Sequence, residues 1–268
     1  MVGRLTTLER DQMAIIFEKK RGVATLTLNR PEVLNAIDPV TYAEITDAFL
    51  EIDRDPDILV AIVTGAGDRA FTAGADLKLM HGQPISLDDW HPWQPNRWDF
   101  GAMPMKPLIA AVHGYALAGG LELALACDIR IAATNAVFGT PEVKWNLLHG
   151  YGAWRLPRII PMAAAMEMLL TGEFINAERA LQIGLVSKVV EPDDLMPEAH
   201  RLAEAIAGNG RVAVQMTKEL VERGLDTTLA QHFRVMREYY DRLELSADQA
   251  EGLEAFRDRR KPSYGQTD

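Results

Sequence analysis

Apolar residues follow two different periods in the first half of the chain. Short runs rich in Val, Ile and Leu predict strands over residues 13–18, 23–28, 58–64, 108–112 and 129–133. The first two runs flank charged residues and Gly22, which predicts a hairpin. Asp38 is a candidate helix N-cap with Pro39 at the first helical position, and apolar residues then recur at helical spacing. Each later strand is followed by a small-residue turn and a short helical pattern, so we expect an α/β fold of repeated β-β-α units.

The character of the chain changes after Leu195. Few residues there favour a strand, and apolar residues at helical spacing cover residues 202–207, 212–223, 229–245 and 247–260. Each pattern has too little apolar surface to stand alone. We therefore divide the chain into a core of residues 1–195 and a helical segment of residues 196–268 that packs on the core or on a neighbouring subunit.

Residues 81–105 show no clear period. This segment contains Trp90, Trp93 and Trp98 together with four prolines. Three tryptophans are too apolar to be left in water, so we expect an ordered loop rather than a linker. The tryptophans either pack beneath the loop or form the wall of a pocket, and the sequence leaves both interpretations open.

Composition narrows the classes of function. An apolar share of 48% and a charged share of 25% over 268 residues are typical of a globular protein with a sizeable core. The net charge of −10 disfavours general affinity for nucleic acid or for anionic membranes, which needs a basic face. The basic run at residues 257–261 is either a solvated helix end or a contact to a ligand or subunit.

Two features of the sequence, its single cysteine and its lack of long apolar stretches, indicate where in the cell the protein is found. Because Cys127 is the single cysteine, an internal disulfide and a cysteine-based zinc site are excluded, and its position in an apolar run predicts a core residue. The first twenty residues lack the apolar region of a secretory signal, and no apolar stretch reaches transmembrane length. We expect a cytoplasmic protein without membrane association.

Residues 65–70 match the GxGxxA pattern of dinucleotide-binding proteins. That pattern needs a helix at the glycines and an acidic residue at the end of a second strand about twenty residues on. Here the following helical pattern starts only after Phe71, and the acidic residues at that distance fall in the tryptophan-containing loop. A surface turn is the better prediction.

Two small-residue segments carry the candidate chemistry. In residues 71–78, a helix opening near Ala75 would present free N–H groups to a developing negative charge. In residues 110–122, a strand runs into a turn with two glycines, and Glu122 follows in the first turn of a helix. Neighbouring leucines would remove water from Glu122, which suits a general acid or base. The alternative is an exposed glutamate that the helix dipole favours.

Glu142 lies twenty residues after Glu122, directly behind Pro141. Two carboxylates on separate elements could hold and polarise one water molecule, although sequence spacing does not establish that they meet. Together with the two small-residue segments, they predict an enzyme that holds a substrate carbonyl against backbone N–H groups beside two glutamates.

These segments resemble the signature of a known family. Residues 71–78, 113–122 and 138–142 are similar, in this order, to motifs of the crotonase superfamily, the enoyl-CoA hydratases and isomerases. Shorter matches cover residues 28–31, 35–36, 170–172 and 184–186, so that the resemblance runs nearly end to end. It implies a crotonase-type spiral of β-β-α units with a C-terminal helical trimerisation segment, assembled as a homotrimer or a dimer of trimers.

The resemblance also implies roles for single residues. Ala75 and Gly119 fall where the family places the two N–H donors of its oxyanion hole, Glu122 where it activates the water, and Glu142 where it supplies the proton at the α-carbon. The implied reaction is the reversible syn addition of water to a 2-enoyl-CoA, without metal or any cofactor beyond the coenzyme A of the substrate. The alternatives are a double-bond isomerase, another crotonase-type lyase or hydrolase, and a non-catalytic or RNA-binding relative.

The implied coenzyme A contacts come from five parts of the chain. In the family's pattern they correspond to Leu34, Ala36, Ala73, Ala75, Asp76, Leu77, Lys78, Gly119, Gly150, Phe256 and Arg259. Phe256 and Arg259 match positions that in relatives reach the coenzyme from an adjoining subunit.

The sequence departs from the family directly after Glu142. The family commonly has a run of glycines ending in Thr-Gln, whereas residues 146–154 of this chain are bulkier and one residue shorter. His149, Tyr151 and Trp154 either reshape the space beside the acyl chain, the interpretation we favour, or supply an extra proton donor. The natural acyl chain and the choice between trimer and hexamer stay open.

Overall fold

A computed structural model describes residues 13–76, 78 and 103–264 of the chain. Leu77 and the three tryptophans of the predicted loop lie outside the described residues.

Ten strands form two sheets. In chain order the strands are β1 (Ile15–Lys20), β2 (Val23–Leu28), β3 (Val60–Gly65), β4 (Ala70–Thr72), β5 (Leu108–Val112), β6 (Tyr115–Leu117), β7 (Ile129–Ala133), β8 (Val137–Gly139), β9 (Ile175–Asn176) and β10 (Lys188–Val190). The larger sheet has the order β1-β2-β3-β5-β7-β10 and the smaller one β4-β6-β8-β9. The β1–β2 pair is the predicted antiparallel hairpin, and strands β2 to β10 of the larger sheet pair in parallel.

Nine α-helices are described among these residues. They are α1 (Pro39–Arg54), α2 (Gly119–Ala126), α3 (Gly150–Ile159), α4 (Met162–Thr171), α5 (Ala177–Gln182), α6 (Leu195–Ala207), α7 (Arg211–Gly224), α8 (Leu229–Glu244) and α9 (Ala247–Asp258). The Asp38 side chain accepts a hydrogen bond from the Thr41 N–H at 2.7 Å, which confirms the predicted N-cap. Residues 66–69 form the predicted surface turn between β3 and β4.

One predicted helix starts earlier than expected. The apolar pattern predicts a helix from Leu202, but α6 already begins at Leu195. Pro197 lies in the first turn of this helix, where a missing N–H breaks no intrahelical hydrogen bond. The proline is therefore compatible with α6.

The larger sheet is buried on both faces. Along β3, Ala61 and Val63 belong to the main core with α1, whereas Val60 and Ile62 face a second cluster with Leu195, Ala199 and Ala203. Alternate residues of one strand point to opposite faces, so a strand covered on both sides must be apolar throughout. Helix α6 thus covers the second face of the sheet, while the division of the chain at residue 195 stays a prediction.

Helix α7 is tied to the core through one buried ammonium group. Lys218, whose side chain is 7% exposed, donates to Asp128 Oδ2 at 2.8 Å and to the Pro104 carbonyl at 2.7 Å. The Asp128 carboxylate also accepts the Leu108 N–H at 2.7 Å. This network fixes the helical segment against the start of β5. Within the described part of the chain, no helix combines the length and apolar character needed to cross a membrane.

Cys127 is a core residue, as its sequence context predicts. The thiol is completely buried and donates to the Leu123 carbonyl at 3.4 Å. Burial, the largest cause, raises the pKa of Cys127 to about 12, with the Asp128 charge adding to the effect.

We expect this thiol to resist alkylation in the folded protein. At about pH 8 iodoacetamide should modify it only after denaturation, because an unfolded cysteine has a pKa of roughly 8.5. The pKa of Cys127 is higher in the folded than in the unfolded protein, so the free energy of unfolding depends on pH. The contribution of this thiol to stability is fully present below the unfolded pKa and is lost as the pH rises toward about 12. Mass spectrometry of native and guanidinium-treated samples measures the reaction, and rapid native labelling would contradict the assignment.

Candidate active site

The first small-residue segment lies against residues 34–37. The Ala73 N–H donates to the Leu34 carbonyl at 3.0 Å, and the Ile37 N–H donates to the Gly74 carbonyl at 2.8 Å. Ala75 is in an isolated parallel bridge with Ile37, so its backbone is extended here, and Lys78, three residues further on, is helical. The bridge uses backbone groups of residues 74 and 76, and the Ala75 N–H takes no part in it.

Gly74 allows this segment to approach the second one closely. Its φ of +86° is a left-handed conformation, and a Cβ there would lie 2.7 Å from the Leu117 carbonyl oxygen and 2.9 Å from Gly119 N. A Cβ on Gly119 would in turn lie 3.8 Å from Ala75 N. The two N–H donors implied by the family resemblance are therefore neighbours in space.

The Gly119 N–H lies at the start of α2. As the first residue of the helix, Gly119 has no intrahelical acceptor for its N–H. The preceding Ala118 has φ 53° and ψ −126°, a conformation that costs energy for a residue with a side chain. Its N–H donates to the Gly139 carbonyl at 3.0 Å, which holds the strained turn in place.

Glu122 is a partly buried carboxylate rather than an exposed cap. It follows in the first turn of α2 between the fully buried Leu121 and Leu123, and its side chain is 13% exposed. Its Oε1 accepts the Gly152 N–H at 2.8 Å. Gly152 is the third residue of α3, so Glu122 caps this helix from another element and receives the favourable end of the helix dipole.

Glu142 lies in a short 3-10 helix, Pro141–Trp145, directly after β8. Its side chain is 11% exposed, and its Oε1 forms a short contact with His149 Nδ1. The same His149 nitrogen lies 3.7 Å from Glu122 Oε1. The two glutamates therefore meet around one imidazole ring, a proximity that the sequence could not establish.

The implied coenzyme-binding residues near the N-terminus are also brought together. Arg30 pairs with Asp38 at 3.0 Å and with Asp76 at 3.6 Å, and it donates to the Ala36 carbonyl at 2.7 Å. The buried Asn35 side chain donates to the carbonyls of residues 66 and 70 and accepts the Arg30 N–H. The sequence motif that contains residues 30 and 35 did not indicate their positioning role, because their partners include backbone groups and, for Arg30, a carboxylate more than forty residues away.

The remaining predicted binding residues are placed less closely. The exposed Lys78 donates its N–H to Asp76 Oδ1 at 3.3 Å. Phe256 is 85% exposed near the end of α9, and Arg259 terminates that helix in a left-handed conformation. Among the described residues, the structure shows no contact between these two side chains and the glutamates.

A cavity of about 710 Å³ is lined by residues of α3 and by residues 222–227, and neither glutamate is among its lining residues. Gly150 lines it, and a Cβ on Gly150 would lie 3.7 Å from Glu122 Oε1. Tyr151 and Trp154 form part of its wall, with ring centroids 5.9 Å apart, and residues 222–227 close the opposite side. The bulky residues after Glu142 thus separate into two groups: Tyr151 and Trp154 shape a cavity, whereas His149 turns toward the carboxylates.

This arrangement can polarise a carbonyl group and move protons. Two adjacent N–H groups provide a site for an oxyanion, and Glu122, one helical turn after Gly119, meets the carboxylate of Glu142 at His149. In the described part of the chain, no group of three or more His, Cys, Asp or Glu side chains is placed to hold a metal ion.

Known proteins place the chain in one family. Residues 18–267 match the family Enoyl-CoA hydratase/isomerase. The chain is 44% identical to an (E)-benzylidenesuccinyl-CoA hydratase of Thauera aromatica, with 94% of this chain and 99% of the relative covered. It is 39% identical to a crotonyl-CoA hydratase of Syntrophomonas wolfei, with 93% and 97% covered.

Solved structures confirm the fold. An enoyl-CoA hydratase of Mycobacterium tuberculosis matches with a TM-score of 0.88 and 39% identity, covering 96% of this chain and all of that one. One from Geobacillus kaustophilus matches with the same TM-score and 38% identity, also covering 96% of this chain and all of that one. The chain therefore belongs to the enoyl-CoA hydratase/isomerase family and has the crotonase-type fold.

Proposed function

We propose that this protein is an enoyl-CoA hydratase that catalyses the reversible syn addition of water to the 2,3 double bond of an enoyl-CoA thioester. The observation that carries the proposal is the placement of two neighbouring N–H donors beside two glutamates. Near-full-length relatives named as hydratases support the same reaction.

The thioester oxygen binds between the N–H groups of Ala75 and Gly119. When water attacks the β-carbon, the electron pair of the double bond moves toward this oxygen and forms an enolate. Fixed donors stabilise that charge more than they stabilise the neutral thioester, and one such donor contributes about 2.7–4 kcal/mol in comparable sites. The strained turn at Ala118 aims one of the donors before substrate arrives.

The glutamates move the two protons. Glu122 accepts a proton from the attacking water, whose oxygen bonds to the β-carbon. Glu142 delivers its own proton to the α-carbon as the enolate collapses. The sum is one water added; Glu122 then carries the proton taken from water and Glu142 has lost its own, and proton exchange with solvent restores the starting state.

The coenzyme moiety lies along residues 34–36 and 73–78. Backbone hydrogen bonds join residues 34 and 37 to residues 73, 74 and 76. We place Phe256 and Arg259 at the coenzyme site of a neighbouring subunit in a homotrimer or dimer of trimers. The exposure of Phe256 supports this assignment, because a large apolar side chain gains from being covered. The enzyme needs no metal and no redox cofactor, and works in the cytoplasm.

The acyl group occupies the cavity beside Gly150. Its volume of about 710 Å³ exceeds what a four-carbon chain fills, and Tyr151 and Trp154 offer apolar ring surface. We therefore expect acyl groups larger than crotonyl, including aryl-substituted ones, to be accepted.

A hydration assay tests the proposal. Purified wild-type protein is mixed with crotonyl-CoA or cinnamoyl-CoA, and the loss of the conjugated thioester absorbance is followed without added metal. We expect hydration of both thioesters. A folded protein that hydrates neither of them, nor any other short or medium 2-enoyl-CoA, would refute the assignment.

A further inference from the structure

We infer that His149 is a positioning residue that binds one oxygen of Glu142 and thereby selects the other oxygen for proton transfer. The inference rests on the proposed function and extends it to a residue outside the two-glutamate machinery. Three observations carry it: the contacts of the ring nitrogens, the burial of the ring and the space that Gly152 leaves for it.

The ring nitrogens of His149 have different surroundings. Nδ1 contacts Glu142 Oε1 and lies 3.7 Å from Glu122 Oε1, so it faces two carboxylate oxygens. Nε2 is buried and has no hydrogen-bond partner among the described residues. A buried N–H without an acceptor is costly, whereas a bare ring nitrogen loses less. The arrangement therefore places the proton on Nδ1, where it is donated to Glu142.

The ring is held in this orientation by packing. His149 precedes α3 as its N-cap, and an N-cap side chain usually accepts from the N–H of the third helical residue. Here that N–H, of Gly152, is donated to Glu122. The imidazole instead packs over Gly152, where any Cβ would overlap Nε2. With a side chain 4% exposed, the ring has little freedom to turn away from Glu142.

The two oxygens of Glu142 consequently differ. Oε1 is occupied by His149, while Oε2 is buried without a hydrogen-bond partner among the described residues. When Oε2 gives its proton to the α-carbon, the carboxylate that forms is stabilised by the Nδ1–H donor on Oε1. The proton leaves Oε2 as the C–H bond forms, and the proton on His149 stays in place throughout.

Matched variants at one position test this assignment. His149→Leu removes the donor at similar volume, and we expect kcat to fall about 10- to 100-fold with KM nearly unchanged. His149→Asn places an amide nitrogen close to the position of Nδ1 and should keep kcat within about threefold of wild type. Thermal melts of both variants check folding. His113→Asn, at a histidine of equal exposure that bonds to the Gly67 backbone, controls for the loss of a buried ring.

A double-mutant cycle shows whether His149 acts through Glu142. Glu142→Asp shortens the side chain and already separates it from the ring, so adding His149→Leu should change kcat by less than about threefold. Wild-type kcat in His149→Leu, equal losses in the Leu and Asn variants, or full additivity with Glu142→Asp would each overturn the inference.

The same contact is measured without catalysis by NMR of protein labelled with ¹⁵N-histidine. The signal lost in His149→Asn identifies the ring. We expect a protonated Nδ1, a bare Nε2 and a clear change of both in Glu142→Gln. A proton on Nε2, or ring ¹⁵N signals of His149 that stay unchanged in Glu142→Gln, would overturn the inference. This readout decides the role of His149 even if the wild type hydrates no thioester, an outcome that refutes the proposed function alone.

Discussion

Replacement of Glu122 by glutamine is expected to reduce kcat for hydration by about 10²- to 10⁴-fold, the range typical for loss of a positioned general base. The amide cannot accept a proton from the attacking water. It can still accept the Gly152 N–H through Oε1, the bond that now measures 2.8 Å, so the start of α3 should stay in place. The loss would therefore report chemistry rather than folding.

Double-bond isomerisation is a second reaction that separates the role of Glu122 from that of Glu142. Migration of a 3,4 double bond to the 2,3 position needs only one carboxylate to move the α-proton, and in this site Glu142 can serve. We expect Glu122→Gln to retain isomerisation of a 3-enoyl-CoA while it loses hydration. Both rates are measured on the same preparation, with Glu167→Gln on the exposed face of α4 as the matched control. Hydration at the wild-type rate in Glu122→Gln would show that another group activates the water.

The parts of the fold that could be predicted from the sequence are those that depend on local patterns. The N-cap at Asp38, the hairpin at Gly22 and the parallel strands depend on neighbours along the chain or on burial of a whole strand, and all were predictable. The sequence pattern predicts a helix only from Leu202, whereas α6 begins at Leu195 and has Pro197 in its first turn. A proline in the first turn carries no information about which side of it the helix begins.

In the active site, too, single residues could be predicted from the sequence, whereas their contacts could not. Glu122 and Glu142 were identifiable as candidates, but their meeting depends on His149 and on a hydrogen bond between residues 122 and 152. The sequence left His149 with two roles and favoured the shape of the pocket. A signal was present, since His149 precedes a helix by the spacing at which an N-cap side chain faces Gly152. That Glu122 would take the same N–H depends on tertiary packing, which no local pattern contains.

Substitution of Gly74 by alanine should separate the two oxyanion donors. The new Cβ would lie 2.7 Å from the Leu117 carbonyl oxygen and 2.9 Å from Gly119 N, both backbone atoms that cannot rotate away. The segments must move apart, and the Gly119 N–H then no longer points to the same oxygen as the Ala75 N–H. We expect kcat to fall about 10²- to 10³-fold, as for loss of one oxyanion donor.

Gly184→Ala separates this effect from backbone strain. Gly184 has a φ of +78°, close to the +86° of Gly74, but a Cβ there meets nothing within 4 Å. Both variants should lose about 1–2 kcal/mol of unfolding free energy through the left-handed conformation, while only Gly74→Ala should lose activity. Denaturant melts and steady-state kinetics on the two proteins measure the pair of effects. Wild-type activity in both variants would mean that the spacing of residues 74 and 119 does not set the oxyanion site. Loss of activity in both would assign the loss to backbone strain instead of to the close approach of the two segments.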